Sequence, residues 1–132
     1  MSATEPKSAD RLKVLIVDDE VALAETMAEA LERSGYEVAL AHSGSDALKT
    51  LERDEPNIIL TDLKMEGMDG LTLLRKAKRE LPDAEIVVIT GHGDVTTAVE
   101  AMRAGAANYV QKPVGLEELR TMVDKAAERF RL

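Results

Sequence analysis

Short apolar runs alternate along the chain with longer segments in which apolar residues recur every three or four positions. Continuous apolar runs of this length are typical of strands buried on both faces of a parallel sheet. The clearest run, at 58–60, follows Pro56 and ends at Asp62. Five strands are predicted in all: Lys13–Val17, Glu37–Ala41, 58–60, Glu85–Thr90 and Asn108–Gln111.

The segments between the runs have the spacing of amphipathic helices, and glycine, proline and capping residues mark their ends. Five helices are predicted: 21–34 before Gly35, one led by Ser43 and Gly44, Gly70–Glu80 before Pro82, 95–104 after Asp94, and 115 to about 131. The last is predicted to bury Leu116, Leu119, Val123, Ala126 and Phe130. Alternating strands and helices specify a doubly wound α/β fold, and we expect a parallel five-stranded sheet of flavodoxin-like order 2-1-3-4-5.

Composition narrows the possibilities. A chain of 132 residues with 45% hydrophobic residues fits one domain, predicted over 11–132, with an aliphatic core because only three residues are aromatic. A net charge of −8 argues against direct binding of nucleic acid or an anionic membrane surface. Apolar runs too short for a membrane span and a polar start predict a cytoplasmic protein with a disordered tail at 1–10.

Polar residues follow the predicted strands where each strand ends. Asp18 and Asp19 follow the first strand, Asp62 the third, Thr90 ends the fourth and Lys112 follows the fifth. The predicted strand order brings the three carboxylates together at the carboxyl edge, where each close pair costs about 4 kcal/mol of repulsion at an effective dielectric near 20. A hard cation such as Mg²⁺ relieves that repulsion, and lysine and threonine suit a phosphoryl group, so the set indicates phosphoryl transfer onto a carboxylate.

These motifs resemble those of one family. The acidic pair Asp18-Asp19, the stretch from Asp62 to Gly70, then Thr90 and Lys112-Pro113 are similar to the receiver domain of two-component response regulators, over about 12–127. The run 89–102 is most similar to receivers of nitrogen-regulation and nitrogen-fixation transcription factors. The resemblance implies a CheY-like fold and a signalling switch rather than an enzyme with a separate substrate.

The resemblance also implies roles at the site. Asp62 would be the phosphoacceptor and Lys112 would contact the phosphoryl oxygens from a cis Lys112-Pro113 bond. Mg²⁺ would be bound directly by Asp19, Asp62 and the backbone carbonyl of Lys64, and positioned by Asp18. A histidine kinase or phosphotransfer protein would supply the phosphoryl group, and hydrolysis would remove it.

The resemblance further implies a switch. Thr90 would move toward the phosphoryl group and Tyr109 would turn inward behind it. This would change the face formed by the fourth helix, fifth strand and fifth helix, which controls an output domain or partner and can form a homodimer. Glu66 stands where the family often has proline, and the side chains of Lys64 and His92 occupy positions that tune phosphoryl lifetime.

Other interpretations fit less well. A haloacid-dehalogenase-type phosphatase requires a second Asp where Lys64 stands. A flavodoxin-like cofactor site is disfavoured because Asp18, Asp19 and Glu20 would repel the phosphate of the cofactor. A receiver fold that no longer takes phosphate and acts as an interaction module stays open as the alternative. His42 is interpreted as an ordinary surface residue.

Overall fold

The computed structural model describes residues 11–65, 67–91 and 93–131. The predicted tail at 1–10 and the proposed roles of Glu66 and His92 lie outside these residues. The strands are β1 Lys13–Val17, β2 Glu37–Ala41, β3 Ile58–Thr61, β4 Glu85–Thr90 and β5 Asn108–Gln111. The helices are α1 Val21–Arg33, α2 Gly44–Asp54, α3 Gly70–Glu80, α4 Val95–Arg103 and α5 Leu116–Arg131.

The five strands form one parallel sheet in the order β2-β1-β3-β4-β5, which confirms the predicted topology. In the register of this sheet, Val17 of β1 lies opposite both Ala41 of β2 and Thr61 of β3. The residues that follow these strand ends therefore lie side by side at the carboxyl edge. On the other side of β4, Thr90 lies opposite Gln111 of β5.

The sheet separates two apolar layers. Alternate residues of each central strand point to opposite faces, as the pleat requires. One layer packs Leu15 and Ile59 against α2, α3 and the buried Ala101 of α4, and the other packs Ile16 and Leu60 against α1 and α5. Among the described residues, no helix is long and apolar enough to cross a membrane.

The helix ends follow the predicted signals to within one residue. The side chains of Ser43, Asp69 and Asp94 each accept a backbone hydrogen bond from the first turn of a helix, and Gly35 and Gly105 follow α1 and α4 with positive φ. The prediction that Leu116 belongs to the core is wrong, because at the first position of α5 its side chain is 46% exposed. The buried face of α5 begins at Leu119.

Tyr36, between α1 and β2, links this region to α5 by donating a hydrogen bond from its hydroxyl to Asp124. Burial, followed by the bond to the Asp124 carboxylate, raises the pKa of Tyr36 above its ordinary value. A raised pKa means that the stabilisation is present below about pH 10 and is lost as the pH rises through the folded-state pKa.

Tyr36→Phe is therefore expected to lower the free energy of unfolding by about 1 kcal/mol at pH 7. The difference in unfolding free energy between the variant and the wild type should become smaller above about pH 10, because only the wild type carries Tyr36, whose ionisation breaks the bond. Urea denaturation across this pH range measures the difference. A difference that stays constant would contradict this account of the bond.

Candidate functional site

Sheet-like backbone bonding continues past the strand ends and fixes the polar residues there. The Asp18 amide donates to the Ala41 carbonyl at 3.1 Å, and the Asp62 amide donates to the Val17 carbonyl at 3.0 Å. On the far side, the Lys112 amide donates to the Thr90 carbonyl at 2.9 Å. The side chains of Asp18 and Asp62 are consequently held at the carboxyl edge, with these residues only 2% and 4% exposed.

Lys112 joins the two buried carboxylates. Its Nζ lies 2.9 Å from Oδ2 of Asp18 and 3.0 Å from Oδ2 of Asp62, and a longer contact of 3.4 Å reaches Oε1 of Glu20. Burial lowers the pKa of Lys112, but the hydrogen bonds to Asp18 and Asp62 outweigh it, so the pKa is raised above the ordinary value. The ammonium is therefore charged, and the Lys112-Pro113 bond is cis, as predicted.

The Asp62 carboxylate is oriented by the loop that follows it. Its Oδ1 accepts the backbone N–H of Leu63 at 2.6 Å and of Lys64 at 3.3 Å. Its Oδ2 is left to the Lys112 ammonium. The two oxygens therefore have different environments: Oδ1 is held by backbone N–H groups and Oδ2 by the Lys112 ammonium.

Asp18, Glu20 and Asp62 form the acidic cluster: each offers a carboxylate oxygen, and these oxygens lie within 4.8 Å of one another. With Lys112, three carboxylates and one ammonium leave a formal charge of −2. Burial raises the pKa of Asp18, while bonds from the Glu20 amide and Lys112 oppose the rise. Carboxylate oxygens with excess negative charge are the donor set that a hard divalent cation prefers, so these residues fit Mg²⁺.

The structure brings only some of the predicted metal ligands into the acidic cluster. Asp18 and Asp62 lie in the acidic cluster, whereas Asp19 is exposed and lies outside it, so its role as a direct ligand stays a prediction. Glu20, which the sequence reasoning did not propose as a ligand, lies in the cluster instead. The available signal was the continuous run Asp18-Asp19-Glu20.

The prediction that His42 is an ordinary surface residue is wrong. The side chain is half-buried, and its Nδ1 lies 3.0 Å from the carbonyl oxygen of Asp18. Because a carbonyl only accepts, Nδ1 is the protonated nitrogen of this ring. His42 directly follows β2 and so stands beside Asp18 at the same sheet edge, a placement that the predicted strand order already implied.

Thr90 and Tyr109 lie on the two strands nearest Lys112. Thr90 is fully buried at the end of β4. Tyr109 of β5 is half-buried, and its hydroxyl lies 3.1 Å from Oγ1 of Thr97 in the first turn of α4. The structure thus brings Tyr109 into contact with α4, while the predicted movements of the two switch residues stay predictions.

Gly70, at the start of α3, packs directly against the loop that carries Asp62. Its amide donates to the Leu63 carbonyl at 2.7 Å. A Cβ at this position would lie 2.7 Å from Cα of Leu63 and would overlap the Asp62 carbonyl oxygen. These are backbone atoms, which cannot swing away as a side-chain end can.

Gly70→Ala is therefore expected to lower the free energy of unfolding by about 1 to 3 kcal/mol, the usual cost of overpacking a close contact. Gly115→Ala is the control, because a Cβ there meets nothing within 4 Å. Urea denaturation of the two variants measures the difference. Equal stabilities would show that the loop after Asp62 is not held by this contact.

Comparison with known proteins gives the family. The sequence-family model of the response regulator receiver domain matches residues 14–124. The C4-dicarboxylate transport transcriptional regulatory protein DctD of Rhizobium meliloti is 37% identical over 119 residues, which are 90% of this chain and 26% of the relative. The nitrogen assimilation regulatory protein NtrX of Azorhizobium caulinodans is 38% identical over 121 residues, covering 90% and 27%. The chain thus spans about a quarter of the length of these relatives.

A solved structure shares the fold. A response regulator protein from Burkholderia pseudomallei, crystallised with a phosphorylated aspartic acid, calcium ion and citrate, aligns with a TM-score of 0.78 at 35% identity, over 89% of this chain and 74% of the other. The family resemblance inferred from the motifs is confirmed, and so is its likeness to regulators of the nitrogen-regulation type. The chain belongs to the family of response regulator receiver domains, the phosphorylation-based switches of two-component signalling.

Proposed function

We propose that this receiver domain accepts a phosphoryl group on Asp62, with Mg²⁺, from a phosphohistidine of a sensor kinase or phosphotransfer protein. The observation that carries the proposal is the Lys112 ammonium, held at 3.0 Å from Asp62 and 2.9 Å from Asp18 among buried carboxylates. Titratable groups with perturbed pKa values at the carboxyl edge of a parallel sheet are typical of functional sites. The phosphorylated aspartic acid and calcium ion of the Burkholderia pseudomallei relative support the same chemistry.

The environments of the two Asp62 oxygens suggest how the transfer proceeds. Oδ1 is held by two backbone N–H groups, so Oδ2 is the oxygen that attacks phosphorus. A new O–P bond forms from its lone pair, the P–N bond of the phosphohistidine breaks, and the imidazole leaves with that electron pair. Lys112 then exchanges its bond to Oδ2 for one to a phosphoryl oxygen.

The acidic cluster would hold the metal, together with Asp19 and the backbone carbonyl of Lys64, the further ligands that the resemblance implies. When bound, Mg²⁺ supplies positive charge that offsets the charge of the incoming phosphoryl group. The protein's own part is to hold Asp18 and Asp62 in place through the sheet edge before the donor arrives. Such prior orientation lowers the cost of assembling the charged groups.

The output of the switch would be the face formed by α4, β5 and α5. On α4 the apolar side chains of Val95, Val99 and Met102 are exposed at helical spacing, which fits a docking surface for an output domain or for a homodimer. DctD and NtrX are named as transcriptional and nitrogen assimilation regulators, so we propose that this receiver domain serves the regulation of transcription in the cytoplasm. With a charge of −8, this segment itself would not contact the DNA.

Incubation with acetyl phosphate, with and without Mg²⁺, tests the proposal by intact-mass spectrometry. We expect a gain of one phosphoryl group that requires Mg²⁺ and is lost on standing as the acyl phosphate hydrolyses. No gain under either condition would favour the alternative, in which the fold acts as an interaction module without phosphate.

A further inference from the structure

We propose that Gly93 and Thr97 are positioning residues for Tyr109: together they form a seat that holds the tyrosine against α4 and couples its position to the order of the first turn of α4. The proposal deepens the proposed function, because it names the contact through which β5 acts on α4. The contacts that form the seat can be tested without phosphate.

The first half of the seat is the missing side chain of Gly93. Its φ lies outside the left-handed region, so the backbone conformation does not call for glycine. A Cβ there would lie 2.7 Å from Cζ and 2.9 Å from Cε1 of Tyr109, and would overlap the hydroxyl oxygen. The absent Cβ is therefore explained by the tyrosine ring that fills its space.

The second half is the hydroxyl of Thr97. Thr97 and Asp94 form a capping box: the Thr97 amide donates to Oδ1 of Asp94 at 2.8 Å, and the Asp94 amide donates to Oγ1 of Thr97 at 3.1 Å. The Thr97 hydroxyl proton points to Asp94, whose Oδ1 lies 3.0 Å away and whose pKa is lowered by these bonds from Thr97. The Tyr109 hydroxyl is then the donor to Oγ1 of Thr97.

The first turn of α4 and the loop before it are thus each bonded to β5, since the Gln111 amide group also donates to the Gly93 carbonyl at 3.2 Å. α4 is the shortest of the five helices, with nine residues, and short helices depend strongly on their caps. When Tyr109 leaves the seat, the Thr97 hydroxyl loses one partner and the first turn of α4 loses this hydrogen bond to β5. Departure of the tyrosine is therefore expected to loosen that turn.

The natural tyrosines provide the probe. The chain has two tyrosines and no tryptophan, so in a Tyr36→Phe background Tyr109 is the only source of tyrosine NMR signals and fluorescence. In that background, Gly93→Ala is expected to shift the Tyr109 ring resonances, because the ring must leave the space that the new Cβ takes. The fold should survive, because the clash involves the end of a side chain. Amide hydrogen exchange in the first turn of α4 should become about two- to tenfold faster.

Gly91→Ala is the matched control in the same loop, because its nearest neighbour would be Cδ of Lys112 at an ordinary 3.9 Å. It should leave the Tyr109 signals in place. Tyr109→Phe and Thr97→Val should each speed exchange in the first turn of α4, and Thr97→Ser should restore the wild-type rate because it keeps the hydroxyl. Unchanged Tyr109 signals in Gly93→Ala, or equal changes in Gly91→Ala, would overturn the proposal.

A last arm adds acetyl phosphate and Mg²⁺ to the protein carrying only Tyr109. The Tyr109 ring resonances of molecules shown by mass to carry the phosphoryl group are expected to leave their wild-type positions, as they do in Gly93→Ala. Loaded molecules with Tyr109 still seated would refute the coupling. A failure to load would instead count against the proposed function and would leave the result for the seat, obtained without phosphate, as it stands.

Discussion

Replacing Asp62 by Ala is expected to abolish phosphoryl uptake from acetyl phosphate, a loss of at least about a thousandfold in rate, because the variant lacks the nucleophile. The neighbouring carboxylates are not expected to take over. Oδ1 of Asp18 accepts one backbone N–H, from Glu20, where Oδ1 of Asp62 accepts two, and Asp19 and Glu20 are exposed.

Asp62→Asn is the matched control for shape. Its side-chain oxygen can still accept the N–H groups of Leu63 and Lys64, so the loop should keep its conformation, yet an amide forms no acyl phosphate. Both variants should remain unmodified under conditions that load the wild type, as intact-mass spectrometry would show. Stable loading of Asp62→Ala at another residue would mean that the acceptor has been misassigned.

Replacing Lys112 by Ala is expected to leave a folded protein that is less stable by about 2 to 4 kcal/mol at pH 7, because two buried carboxylates lose their shared cation. The same variant should lose the coupling between the phosphoryl group and the switch, because the ammonium that connects Asp62 to the chain after β5 is gone. Urea denaturation and the Tyr109 signals measure the two effects separately.

The pH dependence of this loss follows from the sign of the pKa shift. Burial raises the pKa of Asp18, and the bond to Lys112 opposes that rise, so the variant's Asp18 has a still higher pKa. A carboxyl with a raised pKa stabilises the fold at low pH and loses that contribution as the pH rises through the folded-state value. The difference in unfolding free energy between the wild type and Lys112→Ala should therefore become smaller as the pH falls from 7 to 5.

Mg²⁺ should restore part of the lost unfolding free energy, because a divalent cation can bind the carboxylates that Lys112 no longer neutralises. Lys64→Ala is the control. It also removes one positive charge, but the Lys64 side chain is exposed, so its loss leaves no buried carboxylate without a partner. A difference in unfolding free energy that is the same at pH 5 and pH 7, and is insensitive to Mg²⁺, would contradict the electrostatic account of the cluster.

The fold was predictable because local and global signals agree in this chain. Continuous apolar runs such as 58–60 are typical of strands buried on both faces of a parallel sheet. Gly35 and Gly105 mark helix ends by their positive φ, and Asp94 marks one by its side-chain cap. The position of the site followed from the same logic. Once the strand order is known, residues that follow adjacent strands must meet at one edge.

The parts that could not be predicted depend on side-chain directions and tertiary contacts. The run Asp18-Asp19-Glu20 does not reveal which two acids turn toward Asp62, because that depends on the turn after β1. The contact of Gly93 with Tyr109 joins residues 16 positions apart, and no periodicity reports it. Leu116 is exposed because it is the first residue of α5 and the buried face begins only at Leu119, which helical spacing alone does not give.

The most direct test of the central claim is to identify the residue that carries the phosphoryl group. Protein loaded with acetyl phosphate and Mg²⁺ would be reduced with borohydride, which converts an aspartyl phosphate to homoserine, and then sequenced by tandem mass spectrometry. The account predicts homoserine at position 62 and at no other acid. Homoserine at another position, or a phosphoryl group that resists reduction on a hydroxyl or imidazole, would contradict it.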